Sequence, residues 1–157
     1  VYMRFGRLAV PVFNDKDTYK FELGKGVQLR DGDDVTIIAT GLMVNEALQA
    51  SDKLAEEGIK ARVINIHTIK PLDRDIVVKA AKETGVIVTA EEHNIYGGLG
   101  SAVAEVLAWG GAAAPTEFVG IPDTFTETGK YTELLAKYGV DAAGVVRGIE
   151  RVLARKH

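Results

Sequence analysis

Apolar and polar positions along this chain change period several times, and each change marks an element. Val27 to Leu29 and Val35 to Ala39 are short apolar, β-branched runs parted by the polar turn Asp31-Gly32-Asp33-Asp34, which predicts two strands. After Thr40-Gly41, apolar residues fall at helical spacing from Met43 to Glu57, with Val44, Ala47, Leu48, Leu54 and Ala55 on one face. Gly58 suits the C′ position that ends such a helix. Ala61 to Ile66 predicts a third strand, and Pro71-Leu72-Asp73 opens a second helix with Asp73 as N-cap and Gly85 at its close. Val86-Ile87-Val88 reads as a strand covered on both faces. A third helix follows through Ala102, Val103, Val106 and Leu107, then a strand near Glu117 to Gly120. Helices over Lys130 to Tyr138 and Asp141 to Arg155 complete the pattern. Strands alternating with helices of this length predict an α/β domain of three layers, with a mostly parallel sheet between helices.

The run from Gly85 to Glu105 concentrates the chemistry. Glu91-Glu92-His93 stands where the Val86 strand is expected to end, and Gly97-Gly98-Leu99-Gly100 lets the backbone turn and present free N–H groups at a helix start. Open α/β sheets place their sites at such strand-to-helix turns. Two carboxylates and an imidazole could serve acid–base work or bind a metal. One carboxylate could equally brace the glycine turn by accepting backbone N–H bonds, and structure or subunit contact is the favoured role for the three. The cluster lacks the third glycine of a dinucleotide-binding turn. His67 reads as a hydrogen-bonded loop residue, and Trp109 as packing.

Composition narrows the class. The chain has 157 residues, a net charge of −3 and no cysteine, so it is long enough for one real core and has neither disulfides nor thiolate metal sites. An acidic balance gives no case for nucleic acid. No apolar run is of membrane-spanning length and no signal-peptide pattern opens the chain, which sets the expectation of a cytoplasmic protein. Val1 to Phe5 alternates like a strand already under way, and Asn14-Asp15-Lys16-Asp17 reads as a polar turn or linker. The expectation is that the natural protein continues upstream.

The ordered set His67-Thr68-Ile69-Lys70-Pro71-Leu72-Asp73, Thr89-Ala90-Glu91-Glu92-His93 and Gly97-Gly98-Leu99-Gly100 resembles the C-terminal domain of the transketolase superfamily. That domain also occurs in 1-deoxyxylulose-5-phosphate synthase and in 2-oxoacid dehydrogenase β subunits. The wording is most similar to the C-terminal section of split, two-subunit transketolases. The resemblance implies a five-stranded mixed sheet with the Val27 strand antiparallel to the rest and the Val35 and Val86 strands adjacent. Gly41, Glu91, Glu92, His93, Gly97, Gly98 and Gly100 would then border one crevice or interface. It implies residues 1–17 as the end strand and linker of a preceding pyrimidine-binding domain, and 18–157 as the C-terminal domain.

It further implies ketol transfer between sugar phosphates in an intact, dimeric enzyme of the pentose phosphate type, using thiamine diphosphate and Mg²⁺ held by other domains. This domain's share would be assembly: the preceding domain, the N-terminal diphosphate-binding subunit and a second copy are its implied partners. No catalytic residue and no metal ligand are assigned to the chain itself, which is expected to be inert alone. Gly32-Asp33-Asp34 looks like a Gly-Asp-Gly metal motif but carries Asp in third place and precedes a strand, so a polar turn is expected. Arg7 is similar to the family arginine that grips a substrate phosphate, for which a guanidinium fork is suited, and Arg4 is the second candidate. The competing reading is a separate binding module that holds a small anion or nucleotide at the glycine-turn helix.

Overall fold

The computed structural model describes residues 2–6 and 9–156. Its elements are β1 (Val27–Arg30), β2 (Val35–Ala39), α1 (Met43–Glu56), β3 (Ala61–Asn65), α2 (Arg74–Thr84), β4 (Ile87–Asn94), α3 (Leu99–Gly110), β5 (Thr116–Ile121), α4 (Tyr131–Tyr138) and α5 (Ala142–Leu153). The strands make one five-stranded sheet in the order β1-β3-β2-β4-β5. Only β1 runs antiparallel, against β3; β2 pairs in parallel with β3 and β4, and β4 with β5.

Alternation along the central strands divides the core in two. Val35, Ile37 and Ala39 of β2 face α1 and α5, together with Val63 of β3 and Val88 and Ala90 of β4. Ile38, Ile64 and Ile87 point the other way, into the layer of α2 and α3. Side chains of successive strand residues must lie on opposite faces, so a strand covered on both sides has to be apolar throughout. Even the polar member obeys this: Thr36, on the α2 side, shares a 3.0 Å hydroxyl–hydroxyl bond with Thr84. The helices after β2 and β4 therefore leave on opposite faces.

The helix ends follow their sequence signals. Asp73 caps α2 by accepting from the Ile76 N–H, and Gly85 ends it in the left-handed region at φ 74°. Gly58 sits at φ 82° beyond α1. Asp141 caps α5 through the Gly144 N–H. The Asp31–Asp34 segment is a structural turn, with Asp34 Oδ2 accepting from Lys60 N at 2.7 Å and the Gly32 carbonyl accepting from Arg62 Nε at 3.2 Å.

Two expectations need correction. The fourth strand does not stop at Val88: β4 continues to Asn94, carrying Glu91, Glu92 and His93 within it. It is prolonged by β5, whose Ile121 pairs with Asn94 beyond an irregularity in the ladder. Tyr2–Gly6 form no strand and are exposed. Strand geometry depends on a pairing partner, and the five strands of the sheet leave none for this arm. Arg7 lies outside the described residues.

Candidate functional site

The carboxyl ends of β2 and β4 lie side by side. The Thr40 N–H donates to the Ala90 carbonyl at 3.1 Å, which brings the end of β2 against β4, and the glycine turn that starts α3 follows at the same edge. Gly41 is exposed beside it.

Strand alternation sets Glu92 apart from its neighbours, and Glu91 is buried while His93 is exposed, so the three do not form one acid–base or metal cluster. Glu91 turns inward and is 2% exposed. Its Oε2 accepts from Leu99 N and its Oε1 from Gly100 N, both at 2.8 Å. Two of the amides at the α3 N-terminus are thus taken by a carboxylate of the chain itself, at the end of the helix dipole that favours negative charge. The fit is close enough to require glycine next to it: a Cβ on Gly98 would meet Glu91 Oε2 at 2.0 Å. Gly97 has φ 77° and its N–H donates to Ser101 Oγ at 2.8 Å. Gly100 is hemmed by Phe118 and Thr89, so its cradle is also filled from within. The small-anion or nucleotide reading is overturned here, because the amides at Leu99 and Gly100 that would bind the anion already have their acceptor.

His93 is exposed and its Nδ1 donates to the Asn94 carbonyl at 2.9 Å. His67 packs against the Phe21 ring at 4.7 Å and pairs through Nδ1 with Thr68 Oγ1 at 2.8 Å. Burial lowers its pKa, which keeps the ring neutral near pH 7. Trp109 is not core: it is exposed, with the Arg74 guanidinium 5.4 Å above its ring.

Glu92 faces the α1 side of the sheet and joins a second group. Its backbone carbonyl accepts from both Nη1 and Nη2 of Arg4 at 3.2 Å. The Tyr131 hydroxyl at the start of α4 lies near the Glu92 carboxylate. Burial first, then that carboxylate and the negative charge of Glu46, push the Tyr131 phenol up to about 12, against a smaller opposing effect of Arg4. Glu46, in the first turn of α1, accepts from Ala142 N at 2.9 Å and so helps hold the start of α5. Of these, Arg4 and Glu92 were expected site residues. Tyr131 and Glu46 were not, and the one sequence signal available was an acid in a first helical turn.

Among the described residues, no three His, Asp or Glu side chains converge as a metal site. With the α3 amides occupied by Glu91 and Asp34 committed to Lys60, the residues present do not fit a diphosphate–Mg²⁺ group. No helix is long and apolar enough to cross a membrane.

Comparison with known proteins fits this architecture. A family model for the transketolase C-terminal domain matches residues 24–145. The chain belongs to the transketolase C-terminal domain family. Among curated transketolase-family proteins, it is similar to a 6-deoxy-6-sulfo-D-fructose transketolase subunit of Clostridium sp., at 46% identity over 100% of this chain and 48% of that protein. It is 45% identical to 1-deoxy-D-xylulose-5-phosphate synthase 1 of Geobacter sulfurreducens over 99% of this chain and 24% of that protein. A solved split-gene transketolase, described as an inactive beta4 tetramer, superposes with TM-score 0.92 at 45% identity, over 97% of this chain and 49% of that one. This transketolase C-terminal domain therefore spans half or less of the length of the relatives it matches.

Proposed function

We propose that the chain is the C-terminal, assembly portion of a thiamine-diphosphate-dependent transketolase that moves a two-carbon ketol unit between sugar phosphates. The observation that carries this reading is the match over 97% of this chain, in sequence and in fold, to 49% of a split-gene transketolase chain. The cofactor would supply the carbanion that attacks the ketose carbonyl. This domain would pack against a preceding pyrimidine-binding domain, complete the mouth of the active site and contribute to a homodimer. An N-terminal diphosphate-binding subunit would be its further partner, in a cytoplasmic enzyme of pentose phosphate metabolism. The exposed side chains of Tyr2, Met3 and Phe5 support a neighbour on that side, since apolar groups of this size are ordinarily covered.

Arg7 would bind the phosphate end of the sugar. In the full-length protein, Arg7→Ala should lower kcat/KM for phosphorylated sugars by about 10- to 150-fold, the factor carried by one charge-assisted hydrogen bond, and spare unphosphorylated ones. Arg7→Lys should recover part, keeping the charge and losing the fork. An equal loss on both substrate types would make Arg7 a structural residue. The 45% identity to a deoxyxylulose-phosphate synthase supports a second reading. Assaying the full-length protein with pyruvate and glyceraldehyde 3-phosphate against ketose donors separates the two.

A further inference from the structure

Arg4, Glu92, Tyr131 and Glu46 come from four separate pieces of chain: the N-terminal arm, β4, α4 and α1. The arm is otherwise exposed from Tyr2 to Gly6, yet Arg4 commits two donors to one carbonyl 88 positions away. That carbonyl belongs to the residue whose carboxylate lies near the Tyr131 hydroxyl, so arm and strand end meet at Glu92 beside the start of α4. We propose that Arg4, Glu92 and Tyr131 form a latch that fixes the arm against the carboxyl end of β4, making Arg4 a positioning residue and not a phosphate ligand. The latch deepens the reading given above, on which its functional half rests, because Arg7 follows Arg4 by three residues.

Three features support it. A guanidinium with both terminal nitrogens on one carbonyl fixes direction as well as distance, which an ammonium cannot do. The acceptor is a main-chain oxygen within β4, a strand that belongs to the sheet. Tyr131 keeps its proton far above neutral pH, so it adds no negative charge beside Glu92.

The test begins with this chain. Heteronuclear NMR relaxation should show Tyr2–Gly6 ordered, with order lost in Arg4→Met and partly kept in Arg4→Lys, while the amides of β2 to β4 stay unchanged. Tyr131→Phe should loosen the arm less, and adding it to Arg4→Met should loosen it no further. Arm order that survives Arg4→Met overturns the latch, as does a Tyr131→Phe effect that adds fully to it. In the full-length protein, Arg4→Met should raise KM for phosphorylated sugars roughly 2- to 10-fold, as expected for ordinary hydrogen bonds, with kcat little changed. If Arg7→Ala raises that KM and Arg4→Met loosens the arm without doing so, the positioning role is overturned. If neither variant changes KM while the arm loosens, the latch stands and the phosphate reading of Arg7 fails.

Discussion

At the scale of single residues, Glu91 shows how one side chain decides what a site can be. It lies one position before Glu92 in the same strand, yet its environment is the buried start of α3 and not the arm. Removing its second acceptor should be costly, since Glu91→Gln aims an amide donor at a backbone N–H. We expect a loss of about 1–3 kcal/mol, read as a lower urea midpoint with unchanged slope. Unaltered stability would show that water can replace the carboxylate.

Tyr131 offers a spectroscopic test. Tyr131 should give a late phenolate near pH 12 that disappears in Tyr131→Phe. The folded chain keeps this proton above pH 10, where the unfolded chain gives it up. The associated stabilisation is therefore whole below pH 10 and is lost as pH rises toward 12. Absorbance at high pH on the wild type and variant checks both statements. Neither Tyr131 nor its role was legible beforehand, because its neighbour Glu92 lies 39 positions earlier and no local pattern joins them.

At the scale of elements, local signals sufficed wherever the determinant was local. Asp73, Gly58, Gly85 and Asp141 each do at a helix end what their residue type implies. The failure at β4 has the opposite origin. Glu91-Glu92-His93 has the composition of a strand end, but pairing with β5 continues the ladder to Asn94. Cross-strand pairing is a long-range contact, so no window around Glu91 contains it. Asp73 also exceeds its predicted part: Oδ1 caps α2 while Oδ2 accepts from Gly26 N at 3.0 Å, tying the approach to β1 onto the helix start. Asp73→Ala should therefore cost about 1–3 kcal/mol, at or above an ordinary cap, and Asp73→Ser should restore only the capping share. Full rescue by Ser in chemical denaturation would argue that the Gly26 bond is immaterial.

At the scale of the whole molecule, the antiparallel β1 and the adjacent β2 and β4 match what the family resemblance implies, whereas the alternation of elements by itself gave only a layered α/β domain. The described residues offer no fitting cradle for a diphosphate and its metal. Calorimetry of this polypeptide with thiamine diphosphate and Mg²⁺ should accordingly show no saturable heat. Ketol transfer should appear only when the remainder of the enzyme is supplied. A saturable isotherm with the isolated chain would sink that view.

The carboxylate of Glu91 behaves as a guest that never leaves. Because the chain tethers it, its local concentration at the α3 amides is of the millimolar order or higher that short linkages confer. Dissolved phosphate at cellular levels has to compete with a ligand that gives up no translational freedom on binding. The domain thus keeps the outline of a receptor while being permanently self-liganded. Metabolite concentrations can rise and fall around it without altering the shape it offers its neighbours.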